Sequence, residues 1–211
     1  MNTDQLIDLL AKNVEPAERP RWARRLLVTL LVGLAVAVLL LVIGFGVRPD
    51  IGAARMPVML KAMFSAAAAA AALPLVARLM RPGRPLGWRI GAILVFLGVC
   101  ALAAFIALMG EPPERRMEAW TGGGFPWCVV VVPILAAPTA AALLWLMRAF
   151  APTQLMLAGA AIGALSGGIG AMAYSMYCPI DSVAFVTTWY VVAIGICAAL
   201  GAVVGARFLR W

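Results

Sequence analysis

Four cysteines hold most of the chemistry open to this chain: Cys100, Cys128, Cys178 and Cys197. The 211 residues include no histidine, which removes His-based catalysis and every His-ligated metal site. No nucleophile–base pair, phosphate loop or paired carboxylate at catalytic spacing is visible, so no enzyme and no cofactor are expected. A pair of thiols can form a structural disulfide, cycle as a reversible switch, or bind a soft metal ion. Two thiolates without histidine make an incomplete zinc site. The choice among these uses depends on the depth and compartment of each cysteine, and so on the elements that carry it.

Hydrophobic residues make up 64% of the chain and charged residues 12%, with a mean hydropathy of +1.00. Soluble domains run at about 45–50% apolar and about 25% charged. The difference excludes a soluble globular protein, a disordered chain and a disulfide-rich secreted module. It predicts an all-α integral membrane protein, because a helix satisfies its own backbone in lipid. Six apolar stretches, at 26–47, 57–80, 86–109, 127–149, 155–177 and 182–206, are each long enough to span. Arg48-Pro49-Asp50, Arg81-Pro82-Gly83-Arg84-Pro85, Glu111-Pro112-Pro113-Glu114, Pro152 and Cys178-Pro179-Ile180-Asp181 separate them. The chain thus divides into a cytoplasmic tail, 1–25, and a six-helix transmembrane domain, 26–211. The first apolar stretch is too long for a cleavable signal peptide.

Six spans put both termini on one side. That side carries twelve of the 17 basic residues, and the other carries Arg48, Arg55, Lys61, Arg115 and Arg116. The positive-inside rule therefore places both termini in the cytoplasm. The formal net charge of +8 lies on that inner side and reads as a topology signal, not as a nucleic-acid footprint. Trp22, Trp88, Trp145 and Trp211 fall at inner ends, and Trp120 and Trp127 at outer ends, as in an aromatic belt. No span has an ionisable residue near its centre, which argues against a coupled transporter. Lys61, about one turn inside the second span, is expected to snorkel outward.

On this topology Cys100 and Cys197 lie inside the third and sixth spans as small apolar residues. Cys128 and Cys178 lie at the outer face, an oxidising compartment for a bacterial inner-membrane protein. The fifth span carries Gly159, Gly163 and Gly167 at four-residue spacing, and the sixth carries Gly201 and Gly205. Such stripes let two helix backbones approach closely. Packing of the last two helices on each other is expected, with a homodimer face as the alternative. Pro133 and Pro138 predict a kink or local break in the fourth span.

Residues 3–14 form an amphipathic pattern. Leu6, Ile7, Leu9, Leu10 and Val14 fall on one arc, with Asp4, Gln5, Asp8 and Lys12 opposite. A helix of about 12 residues is marginal alone in water, so its apolar stripe needs a surface. Two aspartates against one lysine disfavour an anionic lipid surface. The chain's own cytoplasmic loops, or the apolar groove of a soluble partner, remain as the surfaces it could cover. Arg19, Arg21, Arg24 and Arg25 suit phospholipid headgroups.

These features together resemble the polytopic membrane anti-sigma factors of the NrsF type, negative regulators of the extracytoplasmic-function sigma factor SigF. The likeness covers Thr3-Asp4-x-Leu6-Ile7-x-Leu9-Leu10-Ala11, Arg81-Pro82-Gly83, and Trp127-Cys128 followed by Pro133. Its most specific part is the glycine-rich fifth span, then Tyr177-Cys178-Pro179-x-Asp181-Ser182-x-x-Phe185, Trp189-Tyr190 and Arg210-Trp211. The resemblance implies a cytoplasmic surface that holds a sigma factor inactive, through Asp4, Leu6, Ile7, Leu9 and Leu10. It also implies a periplasmic pair, Cys128 and Cys178, that senses a thiol, redox or heavy-metal signal. Two readings from other classes stand beside it. One is a small transporter or channel for an uncharged or metal-containing solute; the other is a passive scaffold whose cysteines are permanently bridged.

Overall fold

This computed structural model describes residues 5, 22–80, 89–124, 126–150 and 152–210. The tail residues Asp4, Leu6, Ile7, Leu9 and Leu10, the Arg81-Pro82-Gly83 turn, Trp88 and Trp211 lie outside the described residues. The described residues contain no strand. Their helices, in order, are α1 (Trp22–Gly44), α2 (Arg55–Leu79), α3 (Arg89–Gly110), α4 (Arg116–Thr121), α5 (Cys128–Arg148), α6 (Leu155–Tyr174) and α7 (Val183–Phe208). All but α4 are long and apolar enough to cross a membrane, and their ends lie within four residues of the six expected spans. The all-α, six-span fold class holds.

Lipid gives helices no hydrophobic reason to associate, so close van der Waals packing must do it. The bundle is accordingly built around α6, the helix richest in glycine. About 67% of its apolar window is buried, against 6% for α3, which lies at the edge. A Cβ on Gly159 would fall on the Gly201 carbonyl, and one on Gly163 on the Cys197 carbonyl. Gly205 faces Gly159, and Gly167 faces Cys197. The stripe is therefore occupied by α7 of the same chain. Two further glycines of α6 meet other helices: Gly168 packs on Ala69 of α2, and Gly170 on Val132 and Ala136 of α5.

Around α6 the buried side chains form two clusters. One, at the end carrying Arg78 and Arg148, includes Leu26, Val76, Leu143, Met147, Ile162 and Leu209. The other, at the opposite end, includes Leu41, Cys128, Val132, Tyr174, Cys178 and Tyr190. α3 touches the bundle through Phe96, whose ring lies 5.6 Å from that of Phe64.

One local expectation needs correction, and one irregularity lies where no residue pattern marked it. Of the kink or local break predicted at Pro133 and Pro138, the break is absent: α5 runs as one helix through both. It packs there against Gly170 of α6, which lies beside Val132 and Ala136. The irregular turn instead lies in α7, where Val186–Tyr190 is π-helical. Such a turn shifts side-chain direction within a helix. Here it buries Tyr190 while Trp189 donates its indole N–H to the Trp120 carbonyl at 2.8 Å.

The glycine contacts give a sharp contrast. Gly163→Ala drives a methyl into backbone and lowers stability by about 2–3 kcal/mol. Gly195→Ala, whose Cβ would meet nothing within 4 Å, leaves the melting temperature unchanged or raises it. Thermal unfolding of the two variants in detergent checks both signs.

Candidate functional site

The chain leaves α6 after Tyr174 and enters α7 at Val183, so the intervening stretch, through Cys178, has no helix to satisfy its backbone. Its amide groups reach back: Tyr177 and Cys178 both donate to the Tyr174 carbonyl, at 3.0 and 3.1 Å. The carbonyls of Cys178 and Ile180 need other donors, and Lys61 and Arg48 supply them. Lys61 Nζ donates to the Cys178 carbonyl at 2.7 Å, the Ile180 carbonyl at 3.1 Å and Asp181 Oδ1 at 2.7 Å. An ammonium has three protons, and each has an acceptor. This overturns the expected snorkelling of Lys61, which is only 3% exposed. Burial of the charge is tolerated because a carboxylate and two carbonyls replace water.

Arg48 completes the arrangement from the other side. α1 closes with Gly46, whose φ of 81° suits glycine and whose amide donates to the Leu41 carbonyl. The chain then turns, and the Arg48 amide donates to the Met176 carbonyl at 3.1 Å. The guanidinium grips Asp50 with two bonds of 2.8 Å, Nε to Oδ1 and Nη2 to Oδ2. Nη1 donates to Asp181 Oδ1 at 2.9 Å and to the Cys178 carbonyl at 3.1 Å. Asp181 Oδ1 and the Cys178 carbonyl therefore each accept from both cations.

The electrostatics follow. Hydrogen bonds to Asp50 and then Asp181 push the Arg48 guanidinium above its usual range, against the opposing effect of burial. The bond from Arg48 holds the Asp50 carboxyl below the usual carboxylate range. Burial acts to raise Asp181, but the bonds from Arg48 and Lys61 overcome it and hold that carboxyl low as well. Arg48, Asp50 and Asp181 are thus charged together at neutral pH.

Beneath this network lie the two thiols. Cys128 and Cys178 are free and wholly buried in the same cluster. Cys178 Sγ lies 3.7 Å from the Ile180 carbonyl, and Cys128 Sγ 3.8 Å from that of Pro126. The rings of Tyr174 and Tyr190, 5.8 Å apart, complete the wall. The Tyr190 hydroxyl is buried there without a hydrogen-bond partner among the described residues. Outside, Gly122 (φ 70°) caps α4 and packs against Ile180, so α4 covers the loop. Cys100 lies apart from this site on α3, whereas Cys197, on α7, belongs to the same buried cluster as the two thiols. Among the described residues, no group of three or more His, Cys, Asp or Glu could hold a metal ion. A soft ion would have the two thiols alone.

Sequence reasoning singled out the thiols and missed the ionic network above them. The available signal was a charge match: Lys61 just inside one span, and Asp181 and Arg48 in loops at the same end.

A family model described as "NrsF: Negative regulator of sigma F" matches residues 10–211. The chain is 36% identical to a probable anti-sigma-F factor NrsF of Azospira oryzae, over the full length of both. It is likewise 36% identical, again over both full lengths, to the anti-sigma-F factor NrsF of Caulobacter vibrioides. No solved structure matches the chain.

Because Asp181 titrates below its unfolded value of 3.8, the stability it contributes is fully present above that pH. It is lost as the pH falls through the depressed native value. Asp181→Asn should cost about 2–3 kcal/mol at neutral pH, less than a fully buried pair because a third of Asp181 faces solvent. The variant should also lose stability less steeply in acid. Melting curves of both proteins between neutral pH and pH 3 measure the two effects.

Proposed function

The chain belongs to the family of negative regulators of sigma F, NrsF, and from that premise we propose that it is a membrane-embedded anti-sigma factor. It sits in a bacterial inner membrane with both termini in the cytoplasm. There it holds an extracytoplasmic-function sigma factor away from RNA polymerase and binds no nucleic acid itself. The full-length match to negative regulators of sigma F carries this reading. The six apolar helices and the excess of basic residues on one side support the placement.

The contact is assigned to the amphipathic stretch with Asp4, Leu6, Ile7, Leu9 and Leu10, an acidic exception on a basic surface. Its apolar stripe fits the helix-in-groove mode of recognition. Release is assigned to Cys128 and Cys178. A two-electron oxidant would join their sulfurs, taking two electrons while both thiol protons leave. A soft metal ion would instead displace both protons and form two metal–sulfur bonds. Either event replaces two packed thiols with a bonded pair whose geometry differs. A decisive shift of population takes about 5.5 kcal/mol of differential interaction. The transport alternative has less support: the cleft of about 250 Å³ between α5 and α7 is lined mostly by apolar side chains, among them Pro133, Ala140, Leu144 and Val204.

Replacing Leu6 and Leu10 together with Asp should abolish co-purification of a sigma factor with the tagged chain. Undiminished recovery would remove the docking assignment. Cells carrying Cys128→Ser or Cys178→Ser should keep the sigma factor repressed under oxidant or heavy-metal stress. A sigma-dependent reporter that still responds in both variants would remove the thiol assignment.

A further inference from the structure

Both thiols are wholly buried, yet the reagents that oxidise or bind them arrive in water. The backbone that covers Cys178 is the non-helical stretch between α6 and α7, and the Lys61–Arg48 network clamps it. Lys61 by itself binds three of its acceptors: the Cys178 carbonyl, the Ile180 carbonyl and the Asp181 carboxylate. Arg48 binds two of the same three, and its amide holds Met176 just before them. The clamping groups come from outside the loop: Arg48 follows α1, and Lys61 lies on α2.

We infer that Lys61, with Asp181 as its counter-charge, is a positioning residue that latches the Cys178 loop shut and so sets how fast the Cys128–Cys178 pair reacts. The inference rests on the thiol-sensing reading for its biological meaning, but not for its chemistry. Opening the loop requires Lys61 to leave three acceptors at once. The ammonium is bonded to the carbonyl of the residue that carries the thiol. Loss of the latch frees the segment that covers Cys178. It leaves the glycine-packed contact of α6 with α7 untouched, since Gly159, Gly163, Gly201 and Gly205 lie on the helices away from the loop.

The chain supplies its own control. Cys100 on α3 lies outside the cluster of the two thiols, and Cys197, though within it, is covered by Gly167 in the α6–α7 contact and not by the loop. The full-length protein in detergent is exposed to N-ethylmaleimide, and the labelling rate of each cysteine is followed by mass spectrometry of its peptide. Lys61→Met should speed labelling of Cys178 and Cys128 on the order of ten- to a hundredfold, as expected for removing hydrogen bonds from a charged donor. Asp181→Asn should act in the same direction and less strongly. Lys61→Arg, which keeps the charge and the donors, should restore most of the protection. Throughout, Cys100 and Cys197 should label at the rate of the parent protein.

Unchanged labelling of Cys178 in both Lys61→Met and Asp181→Asn overturns the latch. So does acceleration at all four cysteines, which would make Lys61 a support of the whole fold. Equal acceleration by Lys61→Arg and Lys61→Met overturns the role of the charge. None of these readouts involves the sigma factor. A selective change in labelling beside a reporter indifferent to Cys128→Ser and Cys178→Ser would keep the latch and discard the sensor.

Discussion

The arrangement depends on one constraint: at the end of α6 the backbone stops being helical while it is still inside the protein. Backbone carbonyls away from water must find donors, and Pro179 offers no amide of its own. Lys61 and Arg48 meet that demand, and the demand explains why two cations are buried at all, at 3% and 7% exposure. A buried ion network is a weak source of net stability, because desolvation offsets most of the attraction. What it fixes is position. The carbonyl of Cys178 is held from two directions, and with it the thiol beneath.

A second constraint acts through size. Helices in lipid associate where small residues let their backbones touch, and α6 carries such residues on three sides. Gly159 and Gly163 meet α7, Gly168 meets α2, and Gly170 meets α5. The helix that ends in the Cys178 loop is thus also the helix that every well-packed neighbour leans on. Close-packed interfaces transmit a shift as a step, not as a gradual yield. A change of bonding at Cys178 acts directly on the end of the central element.

The six helices were legible in the sequence because lipid leaves a spanning segment no other option. Apolar length alone placed them to within four residues. The glycine stripes were legible for a related reason, since small residues at four-residue spacing define a face whatever they meet. The ionic network was not legible. Lys61 and Asp181 lie 120 positions apart, and reasoning about one helix at a time offers a lone cation near a span end only the route to the surface. The π-helical turn escaped as well: Val186–Tyr190 reads as ordinary helix, and its register is set by Tyr190 packing against Tyr174. Prolines misled in the opposite sense, because Pro133 and Pro138 would break an isolated helix but not one supported by neighbours.

The charges of the network also bear on how easily it opens. Arg48 and Lys61 balance Asp50 and Asp181, so the cluster is neutral as a whole. Asp50 is half exposed and Asp181 about a third exposed, which places the network at the water-facing end and not at mid-membrane. On opening, the two cations exchange carbonyl and carboxylate partners for water, and recovered hydration offsets much of the lost attraction. The closed state is then favoured by a modest margin, on the order of a few hydrogen bonds to charged groups at about 1.5–3 kcal/mol each. That margin is large enough to keep two buried thiols from casual oxidation. It is also comparable to the roughly 5.5 kcal/mol needed to reverse a population decisively. A fully buried ion cluster would open too rarely to admit a reagent, and a fully exposed one would position nothing. Asp181, about a third exposed, lies between these limits.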